Sequence, residues 1–348
     1  MDRNAIVRLG IDLYKSNAQT FSYIDEDKEF TADEAVDVLR QALIDANGGE
    51  TKFDYKALRR NKVAIFEIIE ELVSAIVMEG LNGSEFWNEY VDYRNLKLGD
   101  ANEFTVEDAS TFVVAEVADG HATPRRQRLG KATTVAVKTS VHTIRMYEHF
   151  SRFMAGRIDW NKLCDKVAEA FQKEIWNDIY VAFAGIAKKD IIGGDKNDTY
   201  LVTAGSFDED ELIAIIAHVE AATGQKAIVL GTQAALKKVS GATLANASEK
   251  AKEDLYNQGF FGKFYGTDMF KLNQIHVPGT DDFLLDDSTI HIVAGDDKFI
   301  KFVDEGETIV DDREWTQNSD STLEYRMNQK FGAAVLFSSK GYGKYKFS

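Results

Sequence analysis

The chain has 348 residues, 44% of them hydrophobic and 28% charged, with a formal net charge of −16. That length makes room for two or three compact units, and that acidity argues against indiscriminate binding of nucleic acid or of an anionic membrane. One cysteine, Cys164, excludes an internal disulfide or a thiolate metal cluster.

The opening MDRNAIVRLG lacks the apolar run of a signal peptide, and no stretch reaches transmembrane length, so a reducing compartment is expected. Residues 1 to about 95 read as helical and strongly charged. Thr31 and Glu34 have capping-box spacing for a helix running to Asn47 and stopping at Gly48-Gly49. A second helix is predicted from about Asp54 to Glu79, with Ile65, Ile69, Leu72, Val73 and Ile76 on one face. Asp25, Asp27 and Glu29 superficially suggest a calcium loop. The glycine of the sharp turn is missing, and Val36 stands where the bidentate glutamate belongs, so a solvated acidic turn is the better reading.

From about Leu98 to Thr143 the pattern changes. Val135, Val137, Thr139, Val141 and Thr143 alternate with Thr134, Ala136, Lys138, Ser140 and His142, the period of a strand with one apolar face. Residues from about Thr111 to Val117 are also rich in Val, Phe and Thr and are expected to pair with it. The polar stretch from Asp119 to Pro124 would be the tip of this long two-stranded ribbon. Such a hairpin is marginal alone in water and needs another surface, in its own fold or in another subunit.

Charge favours the other subunit. Gly120 to Tyr147 contains no Asp or Glu but carries Arg125, Arg126, Arg128, Lys131, Lys138 and Arg145. No aromatic residues interleave with these arginines, which argues against a nucleic-acid patch. The segment holding Asp304, Glu305, Glu307, Asp311, Asp312 and Glu314 is the acidic complement on which the tip is expected to dock. Exposed pairs contribute only ~0.2–1 kcal/mol each, so charge would set register while apolar burial holds the ribbon down.

A long helix is predicted from Trp160 to Ala187, capped by Asp159 and followed by Gly193-Gly194. Leu163, Val167, Phe171, Ile175, Ile179, Phe183 and Ile186 form one stripe along roughly 40 Å of helix. Cys164 beside that stripe reads as a buried structural thiol. Short α and β pieces follow. Ser206 and Glu209 suggest a capping box, Leu212, Ile213, Ile216 and Val219 an inward face, and Gly224 a stop. Ala227 to Leu230 reads as a buried strand, Thr232 as the cap of a helix through Val239, and Asn257 to Leu272 as turns and a strand of the same sheet. Strands are expected at Thr289 to Val293, Phe299 to Val303 and Thr322 to Phe337.

Catalytic chemistry is thin. The sequence has no GxGxxG, P-loop, GxSxG or HExxH motif and no histidine pair at ligand spacing. The six histidines are scattered, and His142 and His291 read as structural. No enzymatic role, cofactor or metal is expected.

This order, a charged helical arm, a long ribbon, an uninterrupted helix, a compact α/β unit and a β-rich return, resembles the major capsid protein of tailed bacteriophages, the Hong Kong ninety-seven fold. Several stretches look alike: Pro124-Arg125-Arg126-Gln127 entering the second ribbon strand, Gly156 to Trp160 opening the long helix, the Gly259 to Gly266 run, and Asn318-Ser319-Asp320-Ser321-Thr322 followed by Lys330-Phe331-Gly332-Ala333-Ala334-Val335. The resemblance implies an α+β phage major capsid fold. It would have an N-terminal helical arm and entry to the peripheral domain (1–95), a ribbon or E-loop (96–143), a peripheral domain with a spine helix (144–205), an axial domain (206–287), and a β-rich return to the peripheral and axial domains (288–348). It also implies hexamers and pentamers closing into an icosahedral shell around double-stranded DNA, without sequence-specific binding and without a membrane. The partners implied are a scaffolding protein, a portal and decoration proteins, with assembly in the bacterial host cytoplasm and residence in the virion. Some members crosslink an E-loop lysine, for which Lys131 is the conceivable donor here. The rival readings are an encapsulin nanocompartment, which shares the fold, and a cytosolic α/β enzyme.

Overall fold

The computed structural model describes residues 3–15, 32–46, 48–49, 55–106, 112–117, 126–128, 132–148, 160–186, 201–243, 249–294, 298–307, 309–313, 323–337 and 341–347. Asp25, Asp27, Glu29, Asp159 and Gly193-Gly194 therefore lie outside the described residues.

Helices α1 (Arg3–Lys15), α2 (Ala32–Ala46), α3 (Tyr55–Asn82) and α4 (Glu85–Tyr90) make up the N-terminal quarter. The stop after α2 is the one expected: Gly48 and Gly49 both take positive φ, and their N–H groups donate to the Asp45 and Ile44 carbonyls. Of the face expected on α3, Ile69, Leu72, Val73 and Ile76 are all in the core, while the side chain of Ile65 lies outside the described residues. Helix α1 crosses α3 closely enough that a Cβ on Gly10 would overlap Leu72.

The long helix α5 (Trp160–Ala184) lies against α3. Val167, Phe171, Ile175, Ile179 and Phe183 are buried as the stripe requires, and Leu163 is half-buried. Each fully buried apolar side chain contributes about 1.5–3 kcal/mol relative to exposure, so this seam is the main adhesive of the helical layer. Gln172 adds a polar lock, donating 3.0 Å to the Ile76 carbonyl and accepting from Tyr14 at 3.3 Å. Cys164 is buried, as expected.

Beneath these helices is a five-stranded sheet. Strand β1 (Val91–Leu96) runs parallel to β10 (Ile300–Glu305), while β10 and β11 (Ile309–Arg313) run antiparallel to β12 (Leu323–Val335). β12 also pairs antiparallel with β4 (Ser140–Glu148), Phe331 opposite Ser140 and Leu323 opposite Glu148. A second sheet of six strands has the order β5 (Leu201–Thr203), β13 (Tyr342–Lys346), β9 (Thr289–Ala294), β6 (Ala227–Thr232), β8 (Thr267–Leu272), β7 (Lys263–Phe264). All six residues of β9 are buried, so both faces of the sheet's centre are covered. Helices α6 (Glu209–Thr223) and α7 (Gln233–Thr243) pack on it, and α8 (Glu249–Gln258) follows.

The C-terminal part thus serves both sheets: β9 and β13 join the six-stranded one, and β10, β11 and β12 the five-stranded one. Two local expectations are corrected. The cap of α6 is Asp208, whose carboxylate accepts from the Asp210 and Glu211 N–H groups, not Ser206. Asp is as good a cap as Ser, and the neighbouring Tyr345 hydroxyl accepts the Asp208 N–H at 2.8 Å, fixing the chain's entry there. On that helix Ile215 is buried and Ile213 only half-buried.

Candidate intersubunit ribbon

The ribbon is present but paired differently from expectation. Strands β2 (Glu103–Val106) and β3 (Thr133–Ala136) are antiparallel, with Glu103 opposite Ala136 and Val106 opposite Thr133. The predicted single strand through Thr143 is broken at residues 137–139, after which the chain enters the five-stranded sheet as β4. The cause is local. Val137 is drawn down with Phe104 and Val303 into a small core of its own, and Asn102 donates 2.6 Å to the Val137 carbonyl. Val141 is left exposed, so the two halves of the alternating pattern face different surroundings.

Residues 112–117 form no strand, yet they stand in the ribbon. The Gln127 side chain accepts from the Val113 N–H at 2.7 Å and donates to the Val113 carbonyl at 2.6 Å, imitating a strand partner. Phe112, Val113, Val114 and Val117 are each more than half exposed, Val114 at 95%. An exposed apolar run of this kind is the usual mark of an interaction surface.

Of the basic tip residues, Arg126 and Arg128 are exposed, while Arg125 and Lys131 lie outside the described residues. The expected acidic complement is divided. Asp304 is buried on β10, accepting 3.1 Å from Gln329, and burial pushes its carboxyl up to about 6. Glu305 is engaged at the ribbon's own root, with Lys330 and the Thr139 hydroxyl each at 2.7 Å; both hold its carboxyl below the usual range. Glu307 is exposed. Asp311 and Asp312 sit on β11 opposite Arg326 and Tyr325, and Glu314 lies outside the described residues.

The root contains what sequence reading missed. Arg94 stacks 3.9 Å over the Phe104 ring, and Lys301 pairs with Asp92 at 3.0 Å. The His142 ring lies flat on Phe331, centroids 3.9 Å apart at 8°. Its Nδ1 is 3.8 Å from Glu174 and its Nε2 is 3.5 Å from Asp178, both on α5, with the Ser140 hydroxyl 3.0 Å from Nε2. Burial raises the Asp178 carboxyl, against the pull of His142. The i, i+4 spacing of Glu174 and Asp178 was visible in the sequence, but only the fold brings His142 between them. Because each ring nitrogen faces a different carboxylate, the trio clamps β4 to α5 instead of converging on an ion. Among the described residues no group of three or more His, Cys, Asp or Glu is placed to hold a metal, and no helix is long and apolar enough to cross a membrane.

Residues 12–343 match a family model described as "SPbeta prophage-derived putative capsid protein YonB". Among solved structures, the asymmetric unit of the bacteriophage PhiM1 mature capsid is similar at 12% identity and a TM-score of 0.47, covering 76% of this chain and 87% of that one. A virus-like particle from Pyrococcus furiosus is similar at 13% identity and 0.45, covering 81% and 99%. The acidic stable capsid of Helicobacter pylori bacteriophage KHP30 is similar at 9% identity and 0.48, covering 76% and 91%. No curated protein matches the chain.

Proposed function

The chain belongs to the YonB family, and on that footing we propose that it is a structural major capsid protein that closes with copies of itself into a shell. One observation carries the reading. The ribbon leaves Phe112, Val113, Val114 and Val117 in water, and such a surface is stable in a subunit whose neighbours cover it.

In this reading the six-stranded unit is the axial domain, meeting its copies at the centres of hexamers and pentamers. The helical layer with the five-stranded sheet is the peripheral domain, and α5 is its spine. Arg126 and Arg128, with Arg125 and Lys131, lie across a sister subunit. Glu307, Asp311, Asp312 and Glu314 are their acidic counterpart, whereas Asp304 and Glu305 serve the ribbon root. The net charge of −16 suits a container that must not grip incoming DNA. The subunit's role is mechanical, with no catalysis or cofactor, and its place is the virion. A scaffolding protein, a portal and decoration proteins complete the assembly.

Electron microscopy of the expressed protein, alone and in its native lysate, tests this. Closed particles or capsomers containing DNA or empty are expected; a small soluble oligomer would overturn the shell, and particles packed with a protein cargo would turn the reading to a nanocompartment.

A further inference from the structure

We propose that the cavity between the end of α5 and the carboxyl ends of β6 and β8 binds a small oxyanion of the phosphate kind. The site goes beyond the shell reading and does not depend on it.

The cavity has a volume of about 170 Å³. One water needs only ~10–15 Å³ of such space, so an ion of several atoms has room. Its wall is made by Ala184, the last residue of α5, by Thr232 and Leu272, the last residues of β6 and β8, and by His291, Lys344 and Lys346. Strands β6 and β8 run parallel. In open α/β sheets the space beyond the carboxyl ends of such strands is where ligands collect.

The polar groups with capacity to spare here are donors. His291 is buried, and its Nδ1 lies 2.8 Å from the Tyr342 hydroxyl. Among the described residues Tyr342 has no other acceptor, so its O–H donates to Nδ1 and the ring proton sits on Nε2. Nothing among the described residues accepts that proton, and His291 lines the cavity. Lys344 is half-buried and spends one of its three donors on the Ala184 carbonyl, at 3.2 Å. Thr232 Oγ accepts the Ala235 N–H at 3.3 Å, which leaves its hydroxyl proton to give.

Charge points the same way. The acid at the mouth, Asp286, is already engaged by Lys346 at 2.8 Å, by the Thr289 hydroxyl at 3.1 Å, and by the N–H and hydroxyl of Ser288. Lys346 is thereby neutralised, whereas Lys344 is left with a carbonyl for company. Burial and the charge of Lys346 push its ammonium down, and an anion beside it would relieve both. Helix α7 starts at Gln233, directly after Thr232, and adds the positive end of its dipole to the same field. A bound oxyanion would tie β9 and β13 to the first turn of α7, and through Lys344 to the end of α5.

Equilibrium dialysis of the full chain against radiolabelled inorganic phosphate, at fixed ionic strength in chloride, tests this. It counts ions per chain whether or not chains are assembled, so its result stands apart from the shell reading. Saturable binding of one phosphate per chain is expected, displaced by sulfate. Lys344→Gln is expected to weaken it roughly tenfold or more, as the loss of a hydrogen bond from a charged donor does. Lys346→Glu, a reversal at an exposed position on the mouth, is expected to weaken it several-fold and keeps the test open if Lys344→Gln does not fold. Lys271→Gln, exposed and outside the cavity wall, is expected to bind as wild type does. No saturable binding, binding unchanged in both cavity variants, or displacement by acetate and not by sulfate would overturn the site.

Discussion

Gly332 on β12 lies so close beneath Lys138 that a Cβ on it would overlap the Lys138 carbonyl. The main chain that leaves the ribbon and enters β4 therefore rests directly on the backbone of the five-stranded sheet, with no side chain between them. Gly332→Ala must push residues 137–139 off the sheet and is expected to cost about 1–3 kcal/mol, the usual range for overpacking. Gly262→Ala, where a Cβ meets only the far end of Gln258 at 3.9 Å, is the matched control. Chemical denaturation of the two variants checks this: a drop confined to Gly332→Ala is expected.

Asp304 sets a pH dependence. Its carboxyl is pushed up to about 6 from 3.8, by burial first, so the folded state holds a proton that the unfolded state has released between those values. That contribution to stability is full below about pH 4 and is lost as pH rises through about 6. Asp304→Asn keeps an oxygen to accept from Gln329 and removes the buried charge. It is expected to be more stable than wild type by ~2–3 kcal/mol at pH 7, with the gap closing towards pH 4. His291 works in the opposite sense: burial pulls its ring down to about 3, so its contribution is lost as pH falls from about 6.5 towards 3. Melting curves from pH 4 to 7 on both proteins separate the two, and a gap that is constant across this range would contradict the role given to Asp304.

Reversing the tip charges should spare the fold. Arg126 and Arg128 are exposed, so Arg126→Glu with Arg128→Glu is expected to change stability by less than about 0.5 kcal/mol. Particle yield is expected to fall sharply, and more at low salt than at high salt, as contacts between exposed charges do. Circular dichroism and sedimentation measure the two effects on the same sample. Normal particles from this variant would remove the tip from the contact.

Much of the frame was legible because it is local. The stripes of α3 and α5, the Gly48-Gly49 stop and the Gly224 cap, with φ of 71°, each follow from spacing within a few residues. The ribbon root was not, because its partners are distant in the chain. Val137 finds Val303, Thr139 finds Glu305, and β4 finds β12 almost two hundred residues on. The alternation from Thr134 to Thr143 continues across the break at 137–139, since both halves are strands with one half-buried face, so periodicity is blind to the change of sheet. Composition marked the acidic run from Asp304 to Glu314, but only the pairing of β10 with β12 reveals that its first residue is buried.

The most direct measurement is a cryo-electron-microscopy map of assembled particles at side-chain resolution. The account predicts density for residues 112–117 and for Arg126 lying on a neighbouring subunit, with the ribbon leaving its own chain after β2 and β3. Density that folds the ribbon back onto its own subunit, untouched by any neighbour, would contradict it.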